Sequence, residues 1–216
     1  METKKREVQT FSFSSFPFSF SLCPCFLSLN TSMEDEERLG AAAMHDKVDA
    51  VKDLLRGNPS LNVNWKDGSG WTALHTACSK GYDSIVALLL AHPAIDLNPQ
   101  DNLGQTPFWG ACYYGSSECA RILIRDTRAR VNDPDEGGQT PFRWAAFRGH
   151  LDIILWLLAS GRDLDLGSPG NDKTDAIGEA KKAGNTAVAS LLERFKNDQA
   201  QTRHEVRRKL GITGEC

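Results

Sequence analysis

Histidines, cysteines and carboxylates are the side chains of this 216-residue sequence that could do chemistry, and their spacing decides what chemistry is open to them. Zinc held by a helix or a knuckle needs H-E-x-x-H or C-x-x-C, and neither occurs. Cys23-Pro24-Cys25 has a single intervening residue. A phosphate loop needs glycines followed by Lys and Ser or Thr; Gly68-Ser69-Gly70 begins such a string, but the later glycine is missing. There is no G-x-S-x-G nucleophile elbow. The five histidines are scattered. Asp67, Asp101 and Asp135 recur at a spacing of 34. A catalytic carboxylate is needed once, so recurrence points to a turn-stabilising role. No catalytic residue, cofactor or metal ligand is expected, and the chain reads as a non-enzyme.

The elements around these residues explain the recurrence. Gly137 to Gly161 reads GGQTPFRWAAFRGHLDIILWLLASG, a turn followed by two apolar helical runs joined at Gly149. Thr140 can cap the first helix through its hydroxyl, and Pro141 fits the first turn, where a missing N–H costs nothing. The pattern recurs 34 residues earlier from Gly104 to Ile124, and again from Gly70 to Leu90. A fixed period of this length marks a repeat architecture.

Within it stand Thr72-Ala73-Leu74-His75, Thr106-Pro107-Phe108-Trp109 and Thr140-Pro141-Phe142-Arg143. Each is followed by a small pair (Ala77-Cys78, Ala111-Cys112, Ala145-Ala146) and a glycine (Gly81, Gly115, Gly149). This resembles the ankyrin repeat over roughly residues 34–195. The family period is 33, so each internal unit carries one extra residue. The resemblance implies an all-α repeat fold, an ankyrin-type solenoid of helix-turn-helix units with protruding hairpin-like loops. It also implies a structural hydrogen bond for His75.

The units are expected at about 33–66, 67–100, 101–134, 135–168 and 169–196, together a repeat domain over 33–196. Leu39, Ala42, Ala43, Val51, Leu54 and Leu55 make the apolar faces of the first, where Asp46 replaces the usual glycine. Ile85, Leu88 and Leu89, then Cys119, Ile122 and Leu123, then Ile153, Trp156 and Leu157 form second-helix stripes at helical spacing. Stacking buries these faces, and the terminal units keep a polar outer surface. The acidic run Glu34 to Glu37 suits the amino end of the first helix. In the fifth unit Thr174 begins a decayed motif, and Ala180 and Gly184 fall one residue late.

Residues 1–32 read as lying outside the fold. From Phe11 to Leu29 every residue except Cys23 and Cys25 is Phe, Ser, Leu or Pro. A pyrimidine-rich untranslated stretch would encode such a peptide, making Met33 the natural start. A disordered tail and a targeting peptide are the other readings of this segment, which contains the sequon at Asn30. Residues 197–216 read as a charged tail, with a solvated helix preferred over one docked on the last unit through Val206 and Leu210.

The composition is that of an ordinary soluble chain, with net charge −3 and no apolar run of membrane-spanning length. Cys78 and Cys112 share a repeat position with Ala146, so small buried side chains explain them. Helices pack about 8–10 Å apart and a disulfide needs Cα atoms within about 7 Å. A bridge between these two is not expected, and the usage suits a reducing compartment.

What remains is surface. By template position, loop tips and first helices present Trp71, Ser79, Lys80, Leu103, Gln105, Tyr113, Tyr114, Gln139, Phe147 and Arg148. Aromatic residues and Arg are the types that dominate interface energy. Trp144 reads as core packing, and Trp109 is open between the two roles. The expected function is a non-catalytic protein–protein interaction module that binds a partner protein on the concave face. A monomer is expected, in the cytoplasm or nucleus, with no nucleic acid or membrane as partner. Two readings stand beside it: an enzyme or metal protein with an unrecognised site, and a secreted ankyrin-type effector if residues 1–32 are a signal peptide.

Overall fold

In the computed structural model, residues 34–167 and 175–212 are described. The expectations for residues 1–32, for Met33 as a start, and for Cys23, Cys25, Asn30 and Thr174 fall outside them. Eleven helices and no strand form among the described residues: α1 Asp35–Met44, α2 Val48–Gly57, α3 Ala73–Lys80, α4 Asp83–Leu90, α5 Pro107–Tyr114, α6 Ser117–Arg125, α7 Pro141–Arg148, α8 Leu151–Ala159, α9 Ala176–Lys182, α10 Thr186–Asn197 and α11 Gln199–Lys209. The first ten pair into five helix-turn-helix units, and α11 follows the last. First helices α1, α3, α5, α7 and α9 form one layer and second helices α2, α4, α6, α8 and α10 the other.

Local chemistry starts and stops each unit where the repeat says it should. Thr72, Thr106 and Thr140 accept the N–H of His75, Trp109 and Arg143, and Pro107 and Pro141 open their helices. Gly81, Gly115 and Gly149 end the first helices in the left-handed region. A Cβ on Gly115 would also stand 2.5 Å from His150 Cε1 of the next unit, so both conformation and space demand glycine there. In the first unit Asp46 takes this place with φ 53°, a conformation Asp tolerates better than most residues.

Seven positions before each left-handed residue stand Leu39, Leu74, Phe108, Phe142 and Ile177, all buried. Burying one such side chain stabilises by about 1.5–3 kcal/mol. The column runs through every unit and makes the core continuous. The small pairs, from Ala77-Cys78 to Ala145-Ala146, are fully buried where neighbouring first helices meet. Cys78, Cys112 and Cys119 are buried free thiols, and burial pushes all three above the ordinary thiol value, Cys119 to about 12.

The connections carry their own ladder. Asn64 Nδ2 donates to Ala94 O at 2.7 Å while its Oδ1 accepts Asp96 N–H at 2.9 Å. Asn98 does the same to Arg128 O and Arg130 N–H, and Asn132 to Asp163 O and Asp165 N–H. One asparagine per unit thus splices its connection to the next. The hairpin-like loops close on Asp67, Asp101 and Asp135. Each donates its N–H to the residue four positions on, and each Oδ1 accepts that residue's N–H.

Three expectations are corrected. The fifth unit's first helix is capped by Asp175, which accepts Gly178 N–H at 2.8 Å. Measured from Asp175, Ala180 and Gly184 are in register, so cap, small residue and glycine together sit one residue later than the period of 34 places them, and only the capping residue differs from expectation. Residues 199–209 are no solvated tail. α11 packs on α8 and α10, burying Thr202 and Val206. Arg203 donates to Leu158 O and Arg162 O, and Arg207 to Ala159 O, satisfying carbonyls left open at the end of α8. Trp156 is half-buried at the edge of its stripe, whereas Ile153 and Leu157 are buried.

Candidate functional site

The first helices and loop tips of units two to four carry the residues the sequence singles out. Asp135 supplies the foundation. Its Oδ1 holds its own loop, and its Oδ2 accepts Trp109 Nε1–H at 3.2 Å and Trp144 Nε1–H at 2.9 Å. One carboxylate fixes two indoles from adjacent units. Trp109 is only 6% exposed, and Trp144 is half-buried. Their rings meet edge to face at 5.9 Å.

Tyr113 lies flat on Trp109, with centroids 4.8 Å apart and planes 9° apart. Its edge contacts include Tyr114 at 5.0 Å and Trp144 at 5.2 Å. The Arg148 guanidinium sits 4.1 Å from the Tyr113 ring centroid. Phe147 joins through Trp144 at 5.9 Å. Five rings and one guanidinium from α5 and α7 form a single cluster. Aromatic pairs in these geometries contribute about 0.5–1.5 kcal/mol beyond area burial, so the cluster is braced before anything binds it.

The outer members face solvent. Tyr114 is 55% exposed, Phe147 37% and, on the neighbouring loop tip, Leu103 53%. These are three of the five large hydrophobic side chains exposed among the described residues. Their concentration on one face separates them from scattered surface apolar residues, which need no explanation. A fourth, Met44, stands two positions before Asp46, as Tyr113 and Phe147 stand before Gly115 and Gly149. It extends the column to unit one and was not singled out from the sequence.

The other expected residues divide. Lys80 and Arg148 are exposed, and Gln105 and Gln139 are half-buried at the bases of their loops. Tyr113 is half-buried as the middle of the stack and supports its neighbours. Trp71 stands apart. Its Nε1–H donates to Asp101 Oδ2 at 2.9 Å, and its ring faces His75 at 6.0 Å. No ring contact among the described residues joins it to the five-ring cluster. Trp144 is corrected from core packing to the site, and Trp109 is assigned to the base of the cluster. The signal for both was present: two indole donors within reach of a recurring acid.

The position after the Thr-x-x motif shows how one place in the repeat serves different chemistry. Nδ1 of His75 accepts Thr72 N–H at 3.1 Å, so Nε2 carries the proton and donates to Gln105 O at 3.0 Å. Burial holds its pKa below the ordinary imidazole value and keeps the ring neutral. Trp109 reaches Asp135 from the same position, and Arg143 reaches Glu179 at 2.9 Å. Each side chain therefore ties its unit to the next. No group of three or more His, Cys, Asp or Glu that could hold a metal ion occurs among the described residues. No helix among them is long and apolar enough to cross a membrane.

A family model described as ankyrin repeats (3 copies) matches residues 21–101, 39–135 and 94–168. Among curated proteins, the SMC5-SMC6 complex localization factor protein 1 of Bos taurus is 39% identical over 51 residues. That stretch is 24% of this chain and 5% of the bovine protein.

Proposed function

The chain belongs to the ankyrin-repeat family, and from that premise we propose that it binds another protein on the concave face of its first helices and loop tips, with no chemistry of its own. Ankyrin repeats are generally protein-interaction modules. Fold alone does not assign a face. The observation that carries the assignment is the exposure of Leu103, Tyr114 and Phe147 beside Arg148, over rings already fixed by Asp135. Side chains that are ordered before binding lose little entropy when a partner arrives. The bovine relative is named for localising a complex, the kind of task a binding module performs. Buried free thiols at Cys78, Cys112 and Cys119 accord with a reducing cytoplasm or nucleus, where the chain acts as a monomer.

The test combines Leu103→Ser, Tyr114→Ser and Phe147→Ser in the full chain and follows the protein that co-purifies with the wild type. The control combines Asp83→Ala, Ser84→Ala and Asp152→Ala, all exposed on second helices. Interface hot spots are worth about 2 kcal/mol or more each, so losing two weakens a complex about 1000-fold. The folded patch variant loses its partner and the control keeps it. A folded patch variant that retains the partner while the control loses it places the face on the other side of the stack.

A further inference from the structure

The second-helix layer of units three and four carries a site of different character. A cavity of about 370 Å³ lies where α6, α8 and α11 end, with Trp156 and Ile212 as apolar walls. Arg121, Arg125, Arg162 and Arg207 line it, and no carboxylate does. The larger cavity between α8, α10 and α11, about 550 Å³, differs in including Glu205, which pairs with Arg194.

The arginines are held in place. Arg121 and Arg125 lie with their guanidinium carbons 5.5 and 5.8 Å from the Trp156 ring centroid. Arg162 donates to Ala129 O at 2.7 Å and Thr127 O at 3.3 Å, and Arg207 to Ala159 O at 2.8 Å. The nearby acids are engaged: Glu118 pairs with Arg121, and Asp126 with Arg128 at 2.7 Å. Capping of helix-end carbonyls explains part of this arrangement. It does not explain Arg125, which is exposed and feels Glu118 at a distance, while the ion pair of Glu118 is with Arg121. Nor does it explain Arg162 Nη1, which is buried without an acceptor. A buried donor left unmatched costs free energy, and it belongs to a side chain that lines the cavity.

We propose that this cavity binds the phosphate of a phosphorylated serine or threonine in a partner protein. The phosphomonoester carries about −1.5 to −2 charge and three strong acceptor oxygens, more than a carboxylate offers. Guanidinium forks match that geometry. The volume is at the small end of the range for ligand sites, about 300–1,000 Å³, which suits one modified side chain. Nucleic acid fits less well, because it calls for a basic stripe along the backbone path. Here the chain is net acidic at −3, and four guanidiniums converge on one pocket instead of following a stripe. The site lies on other helices than the aromatic cluster and stands independently of the partner face proposed above.

The test uses the full chain and two pools of degenerate peptides, identical except for phosphate on a central serine or threonine, with binding read by fluorescence anisotropy. The phosphorylated pool binds at least about 10-fold tighter, and the advantage shrinks with salt. Inorganic phosphate titrated alone shifts the Trp156 indole N–H resonance. Arg125→Ala removes about 10-fold of the phosphate advantage and Arg125→Lys restores part of it. Because Arg125 is exposed, both variants fold, which circular dichroism checks. The Leu103, Tyr114 and Phe147 variant keeps the full advantage. Equal binding of the two pools, or an advantage untouched in Arg125→Ala, overturns the proposal. So does tighter binding of a single-stranded DNA oligonucleotide or of phosphatidylserine vesicles through the same arginines.

Discussion

Trp144 and Trp156 belong to the two helices of one unit, and their surroundings are opposite in kind. Trp144 gives its N–H to Asp135 and meets Trp109, Tyr113 and Phe147 ring to ring. Trp156 lies beneath two guanidiniums beside a cavity lined by four arginines. The first-helix side is a braced apolar surface standing on a carboxylate. The second-helix side is a cationic pocket around one indole. A repeat stack thus offers two chemically distinct faces from one alternating pattern, and residue type alone does not say which face a tryptophan serves.

The largest expected effect separates the two regions by stability. Trp109→Ala removes the buried base of the ring stack and should cost about 3–5 kcal/mol. Trp156→Ala removes a half-buried ring and should cost about 1–2 kcal/mol. Urea unfolding at matched slopes compares them, and equal losses would erase the distinction between base and edge.

Asp135→Ala comes next. It strands two indole donors and opens a loop, for about 2–3 kcal/mol. Asp101→Ala, whose Oδ2 holds the single indole of Trp71, should cost less. The order of the two urea midpoints decides whether Asp135 is the foundation of the cluster.

Protonation sharpens the contrast, because the arginines of the second-helix side keep their charge throughout while His75 does not. The folded-state pKa of His75 is depressed by burial, so folding favours the neutral ring. Its contribution is present above the unfolded value of about 6.5 and is lost as pH falls through the lower folded value. Stability followed by denaturant titration should decline over that window, and His75→Gln should flatten the decline. An unchanged slope in the variant would remove His75 as its source.

The smallest effects belong to the exposed rim. Tyr114→Ala and Phe147→Ala should each change stability by no more than about 0.5 kcal/mol. A larger loss in thermal or urea melts would make them structural members of the cluster.

What the sequence disclosed and what it hid follow from how many units share a feature. The Thr caps, the left-handed glycines and the loop aspartates repeat, so one chemical reason explains each three times. Asp46 was legible because it fills a glycine place, and its φ of 53° bears that out. The asparagine ladder repeats too, but its partners lie in the next unit and no spacing within one unit shows them. Asp175 is hidden in the sequence because Thr174 matches the motif by type, while the helix takes the acid one position later as its cap. Docking of α11 had a signal in Leu155, apolar where the equivalent place holds Ala87 and Arg121, but that signal occurs once. Trp156 lies in a stripe beside the buried Ile153 and Leu157, but its equivalents Leu88 and Ile122 are half-buried too, so the position is an edge in each unit, and here arginines cover it. Tyr113 and Tyr114 look alike as surface residues in the sequence, yet adjacent helical positions diverge, and Tyr113 turns inward onto Trp109.

The most direct test of the partner face is a photo-crosslinking amino acid placed singly at positions 114, 147, 84 and 152 of the full chain in cells. All four native residues are exposed, so the probe should not disturb folding. Adducts of one partner are expected from positions 114 and 147, and none of that partner from 84 and 152. Adducts confined to 84 and 152 would contradict it.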